Sequence, residues 1–228
     1  MKNSKIKSVI FISLAASAFL FASCSKDNIP EDNNNGFNGN VNIANLQTQI
    51  NNLPKDPLNQ VELSSLSLMR EEEKLARDVY ITLYKKWGAN IFNNISGSEQ
   101  THMDAVLLLL QKYSLTDPVG TNAIGVFQNT TLQNLYNQLV AKGKPSLPEA
   151  YQVGATIEDL DIFDLSRLLV DVDNLDIRLV YDMLTKGSRN HMRSFYKNIL
   201  NTGGTYTPQY ITQAEFDSII NSPMEIGN

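Results

Sequence analysis

The chain has only two histidines, and the first lies near a carboxylate at a spacing that suits metal binding. In the stretch "SEQTHMDAVLLLL", Glu99 and His102 are three residues apart, which is about one helical turn. They fall on the same helical stripe as Val106 and Leu109, where apolar side chains are expected. Burying a carboxylate and an imidazole is costly unless something pairs with them. A charged partner inside the fold is therefore expected.

Two later segments carry similar polar residues on apolar stripes. Glu158 and Asp161 are again three residues apart and share a stripe with Ile162. His191 lies on the inward stripe of a further segment, with the small Ser188 one turn before it. Both histidines of the chain are therefore expected to face inward, beside carboxylates.

The segment "SLMREEEKLARDVYITLY" contains three consecutive glutamates. Hydrophobic periodicity slightly favours Glu72 as the inward residue, while Glu73 lies on the neighbouring stripe and Glu71 points outward. Charge runs are usually solvated, and we expect this of two of the three glutamates. One glutamate of this run should join the inward set.

The inward set holds four carboxylates and two imidazoles, with no lysine or arginine among them. Four acids cannot all stay ionised in a dry interior without positive charge. Two divalent or trivalent metal ions would supply that charge, and carboxylate oxygen with imidazole nitrogen suits iron or manganese better than thiolate-seeking metals. Besides one glutamate of the run, the set consists of Glu99, His102, Glu158, Asp161 and His191.

Helical periodicity over four segments positions these residues and predicts an all-α fold. The four helices are expected at about residues 65–87, 99–113, 148–170 and 174–200. Ser98 is the expected N-cap of the second helix.

The connections between these helices predict their arrangement. The short first and third connections predict antiparallel hairpins. The second connection exceeds thirty residues and contains a short helix, "TTLQNLYNQLVAKG". A capping box from Thr212 to Glu215 predicts a short C-terminal helix.

Two hairpins joined by one long crossover resemble the ferritin-like four-helix bundle, and the motifs resemble its di-iron carboxylate branch. That branch has a glutamate from each of two helices and Glu-x-x-His from the other two. "EQTH" matches Glu-x-x-His, and Glu158 matches the ligand of the third helix. "EKLARDVY" resembles a ligand glutamate followed seven residues later by a tyrosine, which implies Glu73 as ligand with Tyr80 as its partner. This differs by one residue from the periodicity argument for Glu72.

The fourth helix departs from the family pattern. "SRNH" has Ser188 where a glutamate would be, and leaves His191 as the ligand. Asp161, one turn along the third helix, is the expected replacement. Arg189 is expected at the surface or beside a ligand carboxylate.

Over about residues 66–220, four motifs together resemble an uncharacterised bacterial ferritin-like domain family. They are "MREEEKLARDVY", "SEQTHMDAV", "IEDLDIFDL" and "GSRNHMRSFY".

The resemblance implies a dinuclear iron or manganese centre that reacts with dioxygen or hydrogen peroxide, as in an oxidase or peroxidase. Glu99 and Glu158 would bridge the metals, Glu73 and His102 would complete one, and Asp161 and His191 the other. Ser188 would leave an open coordination position. The electron donor is not identified, and a homo-oligomer is compatible with the sequence. The alternative is a bundle that binds or supports without turnover, which the missing fourth-helix glutamate favours.

The first 23 residues resemble a bacterial lipoprotein signal peptide. Three lysines precede an apolar run of 13 residues, which is shorter than the roughly 20 residues of a membrane span. "FASC" follows, with Phe21 in place of the usual leucine and Cys24 as the residue that would be lipidated. The resemblance implies an exported lipoprotein, anchored in a membrane and facing the periplasm or cell surface. An ordinary secretory signal is the alternative.

Composition divides the rest of the chain. Residues 24–60 are rich in asparagine and predict a flexible tether, with a short helix expected at 43–53. Residues 61–222 would form the bundle, and 223–228 a tail. The net charge of −5 gives no reason to expect nucleic-acid binding.

Overall fold

The computed structural model describes residues 42–226, and the regular secondary structure of this part of the chain is all helical. The all-α prediction is confirmed. The helices are α1 Ile43–Asn52, α2 Gln60–Trp87, α3 Asn90–Tyr113, α4 Thr130–Gly143, α5 Leu147–Asp171, α6 Leu175–Asn201 and α7 Gln213–Ile220. None of these described helices is long and apolar enough to cross a membrane. The predicted signal peptide, Cys24, the first part of the predicted tether and the last two residues of the tail lie outside the described residues.

The four long helices α2, α3, α5 and α6 pack side by side. α2 packs mainly against α3 and α5 mainly against α6, while α2 also contacts α5 and α3 also contacts α6. Gly88 takes the left-handed conformation (φ 66°) after α2, which lets the chain reverse into α3 within two residues.

The α3 helix begins at Asn90, so the predicted start at Glu99 with Ser98 as N-cap is wrong. Phe92 and Ile95 are buried and extend the apolar stripe toward the N-terminus. The hydroxyl of Ser96 donates to the Asn93 carbonyl within the helix. Small polar residues that favour a cap in sequence are therefore accommodated inside this helix.

Polar side chains of α2 hold the crossover between α3 and α5. Glu71 is buried, and its carboxylate accepts hydrogen bonds from the backbone N–H groups of Gln128 (2.6 Å) and Asn129 (3.0 Å). The prediction that Glu71 points outward is wrong, and so is the expectation that two of the three glutamates are solvated, because Glu72 and Glu73 are buried too. The other contacts of this kind are Arg70 with Asp117, Lys74 with Ala123, and Asp78 with Gly125.

Part of the predicted tether is folded onto the helical core. The predicted short helix is present as α1, whose Leu46 and Ile50 are buried, and α1 packs against α3. The Lys112 ammonium donates to the carbonyls of Ile50, Leu53 and Pro54 at the end of α1. Over residues 43–54 the chain is therefore fixed rather than a free tether.

At the other end of the chain, α7 begins with the predicted capping box. Thr212 and Glu215 exchange side-chain to backbone hydrogen bonds. The buried Asp159 of α5 accepts from Tyr206 and from backbone N–H groups of the segment before α7. This carboxylate holds the C-terminal segment against α5.

The apolar core is divided into two clusters along the long helices. One cluster contains Val79 of α2 and Phe195 of α6, and the other contains Met69 of α2 and Leu184 of α6. The residues of α2 between these clusters include the three glutamates, and those of α6 include His191. A polar layer therefore crosses the interior between two hydrophobic regions.

Candidate metal centre

The polar layer collects all six residues that the sequence predicted as ligands. None of them is more than 7% exposed. The α2 helix contributes one, α3 two, α5 two and α6 one. They are Glu73, Glu99, His102, Glu158, Asp161 and His191.

Glu99 lies between the two histidines. Its Oε2 is 2.7 Å from Nδ1 of His102, and its Oε1 is 2.9 Å from Nδ1 of His191. The imidazole ring centroids are 5.6 Å apart. The two histidines therefore lie side by side, each next to Glu99.

A second carboxylate faces each imidazole. Oε2 of Glu73 is 3.1 Å from Nδ1 of His102, and Oε2 of Glu158 is 3.4 Å from Nδ1 of His191. Two groups result, Glu73–Glu99–His102 and Glu99–Glu158–His191, and in each the ligand atoms lie within 4.8 Å of one another. Either group could hold a metal ion, and Glu99 belongs to both.

Several polar atoms of the layer are buried without a hydrogen-bond partner among the described residues. Oε1 of Glu99 and Nδ1 of His191 are close enough for an ion pair but are not aligned as a hydrogen bond. Leaving a buried acceptor unsatisfied costs roughly 1–3 kcal/mol, and more for a charged group. The atoms are Glu72 Oε2, Glu73 Oε1, Glu99 Oε1, Glu158 Oε2, Asp161 Oδ1 and His191 Nδ1. A cation site requires such a set of oxygen and nitrogen atoms that have no hydrogen-bond partner.

Neighbouring groups fix both imidazole rings. Ser98 Oγ is 3.0 Å from Nε2 of His191, which directs Nδ1 of that ring to Glu99 and Glu158. His102 presents its Nε2 edge to Gly187 of α6, where a Cβ atom would lie only 2.5 Å from Nε2. Neither Ser98 nor Gly187 was in the predicted site. The Gly187 signal in the sequence is a glycine inside an otherwise helical pattern.

Three predicted neighbours of the site have other partners. Tyr80 donates its hydroxyl to Oε1 of Glu158 (2.5 Å), so its predicted pairing with Glu73 is wrong. Arg189 forms an ion pair with Glu225 of the tail and not with a ligand carboxylate. The buried Ser188 hydroxyl donates to the Leu184 carbonyl of its own helix (3.1 Å), since serine in a helix can bond to the preceding turn.

Burial and mutual repulsion leave the carboxyl groups of the layer unequal. Burial raises the pKa of Glu73 to about 7, although the charge of His102 opposes it. Burial and the charges of Glu73 and Glu158 hold the pKa of Asp161 well above its usual range. The pKa of Glu99 is below its usual range because His191 and His102 outweigh its burial.

The imidazoles respond in the opposite direction to an isolated buried histidine. Burial lowers the pKa of His191, but Glu99 and Glu158 outweigh it and raise the value to about 10. The pKa of His102 is also well above its usual range, because Glu99 and Glu73 outweigh burial. In the absence of metal, protons on the imidazoles supply part of the positive charge that the layer needs.

Of the two adjacent glutamates, Glu73 belongs to a candidate metal group and Glu72 does not. Glu72 is nevertheless buried, with one unpartnered oxygen. Asp161 belongs to neither triad. The charges of Glu73, Glu158, Glu72 and Glu99 raise its pKa, which is consistent with a position beside the triads.

The chain is similar to known proteins over the region that contains these residues. The model of the family described as "Uncharacterized protein domain (DUF2202)" matches residues 62–223, which contain the whole polar layer. The uncharacterized protein MJ0754 of the archaeon Methanocaldococcus jannaschii is 56% identical over 178 residues, covering 78% of this chain and 96% of its own. The crystal structure of the hypothetical protein MJ0754 from Methanococcus jannaschii DSM 2661 aligns with a TM-score of 0.75 at 56% identity, over 76% of this chain and 99% of that one.

Replacing Gly187 with alanine should displace the His102 ring. A Cβ at 2.5 Å is too close, and the ring is held by Glu73 and Glu99, so strain should exceed the helix-propensity gain of about 0.5–1 kcal/mol. We expect Gly187→Ala to lower the free energy of unfolding by about 1–3 kcal/mol in denaturant titrations.

Gly97→Ala is the matched control, because Gly97 is also inside a helix but has open space around its Cβ position. This variant should be as stable as the wild type or more stable. Equal stability of the two alanine variants would contradict the assigned contact between Gly187 and His102.

Without metal, the protein should become less stable as the pH rises. The raised pKa of Glu73 (about 7) and of His191 (about 10) means that the folded state binds more protons than the unfolded state, from about pH 4.5 for the glutamate upward. The free energy of unfolding in a chelating buffer should therefore fall by more than about 1 kcal/mol between pH 5 and pH 9. A divalent metal should restore it at pH 9, since the cation replaces the protons. Stability that stays constant or rises over this range would refute the charge assignment.

Proposed function

We propose that this chain, which belongs to the DUF2202 family, is a ferritin-like four-helix bundle with a dinuclear iron or manganese centre. The observation that carries the proposal is the buried pair of triads that share Glu99. Their donors come from all four long helices, and α3 supplies a full Glu-x-x-His pair, as expected for that superfamily. The two short connections and the long crossover support the same bundle type.

Electrostatics favour two cations over one. The six predicted ligands comprise four carboxyl groups and two imidazoles, and each triad contains atoms without a hydrogen-bond partner. A single ion in one triad would leave the unsatisfied oxygens of the other without a partner. Two ions would satisfy both, with Glu99 as the shared ligand. Glu73 and His102 would then serve one ion, and Glu158 and His191 the other.

Asp161 has a defined part in this proposal. It is buried, has an unpartnered oxygen, and is close enough to Glu158 and Glu73 for their charges to raise its pKa. It would supply the carboxylate that the fourth helix lacks at Ser188. The donor set is then oxygen with some imidazole nitrogen, which suits iron or manganese.

The chain's own groups would keep this site oriented. Ser98 holds the ring of His191, Tyr80 holds Oε1 of Glu158, and Gly187 leaves room for the ring of His102. The apolar clusters on both sides of the layer would limit access of bulk water. Bound iron or manganese would supply one-electron redox chemistry toward dioxygen or hydrogen peroxide, so we propose an oxidoreductase of oxidase or peroxidase type.

The N-terminal sequence supports a proposal on location. Three lysines, an apolar run and "FASC" are typical of a lipoprotein signal. We propose that Cys24 carries a lipid anchor and that the domain is exported and held at a membrane. Because α1 is docked on α3, the segment available as a tether would end near residue 42.

A second candidate function is metal binding without turnover. The observation that favours it is at Ser188, whose hydroxyl bonds to its own helix. The site would then lack the usual fourth-helix carboxylate, and its ligands are almost fully buried. Such a domain would use the metal to hold its interior together.

Metal analysis of isosteric variants tests the shared centre. Wild-type protein reconstituted with ferrous iron or Mn²⁺ under anaerobic conditions should hold close to two ions per chain. Glu99→Gln should lose both, because Glu99 belongs to both triads. The exposed Glu149 of α5 offers a control, and Glu149→Gln should keep two ions. Elemental analysis of the dialysed proteins gives the ratios.

No bound metal in the wild type, or two ions retained by Glu99→Gln, would contradict the proposal. Reaction with limiting dioxygen or hydrogen peroxide then separates the two candidate functions. An oxidoreductase should oxidise added ferrous ions over many cycles, with electrons passing to the oxidant. A binding module should hold its metal and show no turnover above the Glu99→Gln background.

A further inference from the structure

Tyr80 of α2 is an aromatic residue in direct contact with the candidate centre. Its hydroxyl donates to Oε1 of the candidate ligand Glu158 over 2.5 Å, and its side chain is fully buried. A phenol can lose an electron more easily when its proton moves along a short hydrogen bond to a carboxylate. Tyr80 is therefore placed to exchange electrons with a metal ion that Glu158 holds.

Aromatic rings connect Tyr80 with the surface. Its ring centroid is 6.2 Å from that of Phe92 on α3, and Phe92 stacks on Tyr151 of α5 at 5.7 Å with an interplanar angle of 18°. Both separations are within the range of roughly 4.5–7 Å at which aromatic pairs interact. Tyr80 and Phe92 are fully buried, whereas Tyr151 is 7% exposed. The series therefore begins at a candidate ligand and ends at solvent.

A further ring packs on this series and keeps it in position. By ring centroids, Phe195 of α6 lies 5.2 Å from Tyr80 and 5.7 Å from Phe92. Gly154 of α5 makes room for Phe195, because a Cβ atom there would lie only 2.3 Å from the Phe195 ring. Phe195 is itself fully buried. An electron donor in solution would therefore meet these four rings at Tyr151.

We propose that Tyr151, Phe92 and Tyr80 form the route by which an external one-electron donor supplies electrons to the centre. The inference rests on the proposed oxidoreductase function and locates its point of electron entry. Electron transfer slows steeply with distance, so short steps between neighbouring rings favour this route over a single long step from the surface. Phenylalanine is much harder to oxidise than tyrosine, so Phe92 serves as the bridge between the two tyrosines.

The electrons and protons of this route balance. Reduction of one hydrogen peroxide molecule to two waters takes two electrons from the donor and two protons from solvent. For each electron, Tyr80 loses one electron toward the centre, and its proton passes to Oε1 of Glu158. Tyr151 then returns an electron to the Tyr80 radical, which takes its proton back from Glu158, while Tyr151 loses its own proton to solvent. The donor reduces the Tyr151 radical, and solvent returns that proton.

Radical trapping on the iron-loaded full chain tests the route. With limiting hydrogen peroxide and no donor, the radical should collect on Tyr151, where a nitroso spin trap forms an adduct that peptide mass spectrometry locates. Tyr80→Phe and Phe92→Leu should each lose the adduct on Tyr151 and keep the wild-type iron content. Tyr196→Phe is the control, because Tyr196 is a half-buried tyrosine that packs on Phe216 of α7. This variant should keep the adduct on Tyr151.

The outcomes separate this inference from the proposed function. An adduct on Tyr151 that persists in both variants, or an iron-loaded wild type that forms no adduct on Tyr151, would overturn the route and leave the centre intact. A wild-type protein that binds no iron would refute the proposed function and, with it, this inference. If Tyr80→Phe fails to fold or to bind iron, Phe92→Leu decides, because leucine keeps an apolar side chain at a position outside the candidate ligand set.

Discussion

The desolvation of a layer of ionisable groups is the constraint on which the structure depends. The six predicted ligands, four carboxyl groups and two imidazoles, lie with further buried glutamates between two apolar clusters, where water cannot screen them. Charged groups in such a setting must be neutralised, paired or bound to cations. Without metal, protons and internal ion pairs meet part of this demand, and orphaned oxygens remain. Without metal, these buried groups lower the stability of the interior. They are also the groups that could bind cations strongly.

Each long helix contributes to that layer and also to the means of keeping it in place. On α3, Glu99 and His102 supply candidate metal ligands. Ser98, the residue before Glu99, orients the histidine of α6. On α6, Gly187 gives the ring of His102 its space. On α2, Glu71 and Lys74, which lie on either side of Glu73 in the sequence, bond to the backbone of the crossover and hold it. The site and its scaffold are therefore built from neighbouring positions of the same helices, so changes near the ligands will affect both.

Hydrophobic periodicity was enough to predict the helical class, the four long helices and the inward direction of Glu99, His102 and His191, because these residues lie on clear apolar stripes. It failed where a residue's partner is distant in sequence. Glu71 looks like part of a solvated run, yet the backbone of the crossover supplies its donors. Tyr80 bonds to a residue of another helix, and Arg189 bonds to a residue of the tail. Tertiary packing decides which of these segments lies nearest, and local sequence does not show it. The early start of α3 was hidden because "SGS" is typical of a cap, although the Ser96 hydroxyl bonds within the helix and the Ser98 hydroxyl bonds to His191 of α6.

Anomalous X-ray scattering from crystals of the manganese- or iron-loaded protein tests the central claim most directly. The account predicts two peaks inside the polar layer, one beside Glu73 and His102 and one beside Glu158 and His191, with Glu99 contacting both. Data collected at the absorption edge of the metal would identify each peak. Loaded crystals with no anomalous peak in this layer, or with the six side chains paired only with one another, would contradict it.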